Sequence, residues 1–484
     1  MRLLGRSARA VAVLAPIVIG VLVWASAPAS ADVALTPISA DPFTNTDAQH
    51  RTQVEPDTFQ FGTTIVSAVQ TGRIFGGGSS DIGVATSNDN GVTWTRSFLP
   101  GITRNTNPAG IFSAASDPAV AFDAAHNVWL ISSLGVGGPN GSTAVLTSRS
   151  TDGGRTWSNP VTTATGQLDK NWIVCDNGAN SPFRGRCYTE YDITNQGNAV
   201  RMRTSTNGGL TWGPGRATGD NRSGLGGQPV VRPNGTVIVP FLSGGQIRSF
   251  RSIDGGNSWR STVLVATVQH HTTAGGLRSG ALPSAEVDSA GTVYVAWSDC
   301  RFRAGCPAND IVISKSTSET TWAAPIRVPI DPTSSTVDHL VPGIGVDRTR
   351  SGSTARVGVT YYFYTNTSCS SSTCDLRIGF ISSTNGGTSW SAPTQLVGTM
   401  RLTWLANTSQ GRMFGDYIST SIIPGGRAFP ALVVATAPSG TTFNESLAVP
   451  TGGLAITGGT VRATQAAETS ASEVSTFVAP TTAN

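Results

Sequence analysis

Ionisable and polar side chains open a series of short apolar runs along this chain. Asp57, Asp117, Asp169 with Lys170, Gln228, Glu286, His339, and Asp416 with Tyr417 each stand at such a start. If the runs converge, several carboxylates face one funnel, and mutual repulsion raises some of their pKa values. A raised carboxyl is what a general acid requires. The same ring of oxygens would suit Ca²⁺. Taken singly, each acid also reads as a local cap on a strand or turn.

The runs that must position these groups form a repeat. They read EPDTFQFGTTIVSAV (55–69), SDPAVAFDAAHNVWLIS (116–132), DKNWIVC (169–175), GGQPVVRPNGTVIVPF (226–241), LPSAEVDSAGTVYVAW (282–297), LVPGIGVD (340–347) and FGDYISTSI (414–422). Their spacing of about 55–70 residues suits a four-stranded unit plus loops. A second repeat lies out of phase with the first. SNDNGVTW (87–94), STDGGRTW (150–157), STNGGLTW (205–212), SIDGGNSW (252–259) and STNGGTSW (383–390) share one outline, and STSETTW (316–322) is a damaged copy. Asp or Asn at the third position closes an Asx turn. Gly at the fifth accepts positive φ. The Trp is an apolar anchor. Each box therefore reads as a hairpin turn pinned to a neighbour.

These octapeptides resemble Asp-boxes (BNR repeats), the signature of sialidase-like β-propellers, over about residues 50–450. The resemblance implies an all-β propeller of four-stranded blades with the boxes on outer hairpins, away from the substrate. Seven inner runs favour seven blades, with six as the alternative. A strand from residues 33–50 would close the last blade, leaving no open edge.

The family's chemistry uses a Tyr nucleophile with a Glu partner, an Asp acid, and three Arg on the substrate carboxylate. The resemblance then implies Tyr417 or Tyr361 as the phenol, Glu286 as its partner, and Asp117, Asp416 or Asp57 as the acid. Arg278, Arg301 and Arg412 would grip substrate, with Asp169 and Lys170 beside them. The family's Arg-Ile-Pro is replaced here by HRTQVEPD (50–57). Two functions follow: an exo-α-sialidase-like glycoside hydrolase acting on terminal sugars of glycans, or a non-catalytic propeller that binds glycans or a protein partner. Trp172, Trp404 and Tyr188 are candidate sugar-stacking rings.

Bulk properties narrow the field. Arg2, Arg6 and Arg9 precede the apolar AVAVLAPIVIGVLVW, and Ala29-Ser30-Ala31 offers a cleavage site, so 1–31 reads as a secretory signal. Subtracting those three Arg lowers the formal charge from +4 to about +1. That gives no electrostatic case for nucleic acid or an anionic membrane. The expectation is a secreted monomer with no membrane anchor after cleavage and no cofactor, Ca²⁺ aside. A single propeller domain would span 32–464, with an Ala/Thr/Ser-rich tail at 465–484. Six cysteines in close pairs predict disulfides Cys175–Cys187, Cys300–Cys306 and Cys369–Cys374. No G-x-S-x-G, P-loop or H-E-x-x-H occurs.

Overall fold

A computed structural model describes residues 33–465. The expected leader, and the expected tail beyond Gln465, lie outside them. The described chain is all-β, relieved only by single-turn 3₁₀ segments.

Six groups of four antiparallel strands follow in chain order. The first is Ala48–Phe61, Thr64–Ile74, Ser79–Ser87 and Thr95–Phe98. The second is Ala114–Asp123, Val128–Val136, Thr143–Ser150 and Val161–Gly166. One pairing, Ser79 with Ala115, joins these two into a larger sheet. The third to sixth groups begin with Leu168–Cys175, Val230–Val231, Ser284–Val287 and Asp338–Val346. A last group pairs Thr420–Ile423 with Arg427–Pro430, and Leu432–Ala435 with Glu445–Pro450. Its outer edge is covered by Leu35–Pro37, from the other end of the chain. The first strands of consecutive groups lie against one another, and Thr420–Ile423 contacts both Asp338–Val346 and Ala48–Phe61.

Strands such as Ser79–Ser87, Ala114–Asp123 and Val237–Ser243 are buried along their whole length, whereas outer ones such as Thr95–Phe98 are partly exposed. The core lies between neighbouring groups. Tyr294, Ala296 and Ile311 of the fifth group meet Ile344, Val359 and Trp390 of the sixth. Each fully buried aliphatic side chain stabilises by about 1.5–3 kcal/mol.

The boxes are turns with one repeated circuit. In the first, Ser87 Oγ donates to Asp89 Oδ1 at 2.7 Å and accepts from the Gly91 N–H at 2.8 Å, and the Thr93 N–H donates to Asp89 Oδ1 at 2.9 Å. The same bonds recur at Ser150/Asp152/Gly154/Thr156 and at Ser383/Asn385/Gly387/Ser389. The fifth-position glycine has φ between +79° and +84° in all five intact boxes. A Cβ there would also collide with the preceding group: Val66 and Thr86 at Gly154, Leu130 at Gly209, Tyr188 and Thr204 at Gly256. At Gly91 the obstacle is Phe429 of the last group. Glycine is thus demanded twice, by backbone and by packing. Asp89 is held down to about 2 by the Thr93 hydroxyl and N–H. The boxes are structural, as their residue types imply.

All three expected disulfides form, and no described cysteine is free. After Pro450 the chain runs back across three groups. Leu454–Ala455 pairs with Arg427–Pro430, Val461–Arg462 with Ser389–Trp390, and Thr464–Gln465 with Ile326–Arg327. No helix among the described residues is long and apolar enough to cross a membrane.

Candidate functional site

Four first strands carry a bulge near their start, and each bulge holds one residue in the left-handed region. The residues are Glu55 (φ 55°), Asp117 (47°), Lys170 (51°) and Val341 (44°), at register shifts Val54/Asp57, Ser116/Ala119, Asp169/Trp172 and Leu340/Gly343. Proline follows in three of the four, as Pro56, Pro118 and Pro342. A ring without an N–H fits where the ladder is already broken. The bulges re-aim side chains, and three of the four re-aimed residues are charged.

Those three meet. Lys170 Nζ lies 2.5 Å from Asp416 Oδ2 and 3.7 Å from both Glu55 Oε1 and Asp117 Oδ2. Arg278 clasps Asp416 with both ends of its fork, Nε to Oδ1 at 2.7 Å and the second nitrogen to Oδ2. Gln70 donates to Glu55, and Arg73 donates to Gln70 at 2.8 Å. Burial first, then the neighbouring Asp117 charge, pushes Glu55 up to about 8. Burial would raise Asp117 too, but Lys170, Ser116 and Glu55 hold it below the ordinary carboxylate range. Arg278 and Lys170 overcome burial at Asp416 and depress it strongly. Asp169 is raised, chiefly by burial. Asp117 and Asp416, both held low, therefore face Lys170, Arg73 and Arg278, while Glu55 is pushed toward its protonated form. Little of the cluster is exposed: 10 % of the Lys170 side chain and 9 % of that of Asp416.

Beyond the cluster, toward the turns that end the first strands, lies a cavity of about 410 Å³. That size is typical of small-molecule sites. Asp57, Phe59, Phe61, Trp172, Gln228, Ser284, Glu286, Asp288 and Arg348 lie in its wall. A much smaller cleft of about 10 Å³ shares Trp172 and Gln228 with it and reaches Asp117, Lys170 and Tyr417. Asp57 Oδ2 accepts the Val120 N–H at 2.7 Å. Burial first, and further down its causes the Glu286 charge, pushes Asp57 up to about 7. Glu286 is raised by burial, against the opposing pull of Arg348. Arg348 reaches both Glu286 oxygens, at 2.9 and 2.8 Å, and lies 4.3 Å from the Phe59 ring centroid. Gln228 Oε1 accepts the Ala285 N–H at 3.0 Å, and Ser284 Oγ accepts that of Ile344 at 3.1 Å. The Gln228 amide and the Ser284 hydroxyl proton remain for a ligand.

The strand-start residues thus divide. Asp117, Asp169, Lys170, Arg278 and Asp416 come together. Glu286 does not face Tyr417. It lines the cavity, whereas the Tyr417 hydroxyl donates to the Pro118 carbonyl at 3.0 Å and the buried ring packs edge-on to Trp172 at 4.9 Å. Burial holds that phenol far above its ordinary pKa, the wrong direction for a nucleophile. Tyr361 is buried in the core between the fifth and sixth groups. Arg301 is spent on Asp299 at 2.7 Å, and Arg412 donates to the Leu405 carbonyl at 2.9 Å. Neither joins Arg278, so no three-arginine grip assembles. Tyr188 is core, and Trp404 packs against the core of the sixth and last groups. His339 is also absent from the walls of the cavity and the small cleft. Its ligand atom gathers with those of Asp310 and Asp331 within 4.8 Å, the one such metal-sized group among the described residues. Both those acids already share Arg303 and Arg327.

Glu55, Gln70, Arg73 and Arg348 were not legible beforehand. The only signal for Glu55 was its proline, shared with Asp117 and Val341.

Residues 75–286 match the family model described as a BNR repeat-like domain, which agrees with the Asp-box resemblance. No curated protein matches the chain. Among solved structures, a protein of unknown function from Dyadobacter fermentans is 18 % identical. The match covers 74 % of this chain and 99 % of that one, with TM-score 0.43. A Hadza microbial sialidase is 18 % identical over 65 % of this chain and 64 % of its own, with TM-score 0.45. An α-L-arabinanase of Penicillium chrysogenum is 14 % identical over 69 % and 94 %, with TM-score 0.43.

Proposed function

We propose that this Asp-box protein is a secreted glycoside hydrolase that takes a terminal sugar into the 410 Å³ cavity. The observation that carries the reading is the pairing, in one wall, of Asp57 poised near 7 with Glu286 held beside a guanidinium. Asp57 can donate its proton to a leaving oxygen at neutral pH. Glu286 supplies the second carboxylate. Trp172, Phe59 and Phe61 offer apolar surface to a sugar ring. The seven strand groups form a closed seven-bladed propeller on this reading. The adjacency of Thr420–Ile423 to Ala48–Phe61 and the lodging of Gly91 against Phe429 support it. The expected leader and the three disulfides support export.

The alternative, a glycan-binding protein without turnover, draws on one observation. Both Glu286 oxygens accept from one Arg348 nitrogen, and these are the oxygens a catalytic base would use. A panel of fluorogenic glycosides separates the two. Release of aglycone that disappears in Asp57→Asn supports the hydrolase. No release by the wild type, with oligosaccharide still retained, establishes the binder.

A further inference from the structure

We infer that the sugar taken by this cavity is uncharged, and that sialosides and uronides are excluded. The inference rests on the assignment of the glycan site to this cavity. It follows from which charges in the wall are already committed.

The ionisable groups in the wall are Asp57, Glu286, Asp288 and Arg348. Three are acids. The one cation among the described lining residues is Arg348, and it is already paired with Glu286. Its guanidinium nitrogen bridges both Glu286 oxygens at 2.8–2.9 Å, and its carbon lies 4.3 Å from the Phe59 ring centroid. A ligand carboxylate would have to share that one guanidinium with Glu286 while lying in a wall that also holds Asp57 and Asp288. Like charges crowded into one wall repel, which disfavours a further carboxylate. Asp288 offers no relief, since its oxygens accept the Ala290 and Thr292 N–H groups and the Tyr294 hydroxyl. The cations of the neighbouring cluster, Lys170 and Arg278, are bonded to Asp416.

The valences left open in the wall suit hydroxyl groups. Gln228 has an amide to donate, Ser284 a hydroxyl proton, and Asp57 an acid proton below about pH 7. Neutral donors and acceptors interleaved with Trp172, Phe59 and Phe61 match a pyranose or furanose ring, polar at its rim and apolar on its face.

The experiment is calorimetric titration of the wild type, and of Glu286→Gln, with two oligosaccharides that share a core. One ends in a neutral hexose or pentose, the other in sialic acid or a uronic acid. The wild type should bind the neutral ligand at least tenfold more tightly. Glu286→Gln frees Arg348, so it should narrow that ratio at least tenfold by strengthening the acidic ligand. Preference of the wild type for the acidic ligand overturns the inference while leaving the glycan reading intact. A preference ratio that Glu286→Gln leaves unchanged also overturns it, because the selecting site is then not this cavity. Absence of binding and turnover with every sugar removes the glycan reading itself, and the inference with it.

Discussion

The strand-start cluster and the cavity hold the same kinds of residue in opposite condition. At the strand starts, Glu55, Asp117, Asp169 and Asp416 face Lys170, Arg73 and Arg278, and the charges close on themselves. Farther along, Asp57, Glu286 and Arg348 surround open space. Density of charge therefore does not mark the working end. A buried ion cluster costs desolvation, which its own partners offset, and nothing is left over for a ligand. A few groups around a vacancy retain donors and acceptors that only a ligand can satisfy. The first arrangement orders the strand starts; the second can do chemistry.

The comparison breaks most visibly at Lys170. Lys170→Met removes the cation shared by Asp416, Glu55 and Asp117, and should cost about 3–5 kcal/mol. Chemical denaturation would measure it, and sugar affinity of the folded fraction should be unchanged. A stable variant that has lost its ligand would move the site to the cluster.

Asp57→Asn tests the other half. Asn can still accept the Val120 N–H, so the melting temperature should shift little. Loss of the acid should lower turnover by about 10²–10⁴. Unaltered kcat would remove Asp57 from the mechanism.

Protonation sharpens the contrast at smaller amplitude. The Glu55 carboxyl is raised from 4.5 to about 8 on folding. The folded state then binds more protons than the unfolded state between those values, so stability falls as pH rises through that window. The contribution is complete below about 4.5 and lost above about 8. In Glu55→Gln the slope should flatten, as denaturant midpoints measured from pH 5 to pH 9 would show. Asp57 contributes in the same direction up to about 7, so part of the slope should persist in Glu55→Gln and flatten further in the double variant.

The smallest effect belongs to the boxes. Asp89→Ala breaks the bonds to Ser87 and Thr93 at an exposed turn. It should cost about 1 kcal/mol and leave ligand binding untouched. A large loss of affinity would make the boxes part of the site.

Much of this was legible in the sequence because turn chemistry is local. Ser, Asp, Gly and Trp at fixed offsets specify a box without reference to anything distant, and close cysteine pairs specify short loops. Strand starts were also legible, which is why Asp117, Asp169, Lys170 and Asp416 stood among the candidates. Side-chain direction was not. The bulge between Val54 and Asp57 turns Glu55 into the cluster and sends Asp57, two residues on, into the cavity. A periodicity of two cannot show an inserted residue. Arg301 and Arg412 sit near strand starts in sequence, yet Asp299 and a backbone carbonyl take them. Arg73 and Arg348 lie on a second strand and a turn, where no pattern pointed.

The cluster has a further consequence as a stopper. Glu55, Asp117, Lys170 and Asp416 pack together at the strand starts, where the cleft beside Trp172 and Gln228 is far smaller than the cavity. On the glycan reading proposed above, a polymer would not be threaded past such a cluster; it would enter the cavity by a chain end, and a long glycan would be shortened in separate visits instead of one continuous passage.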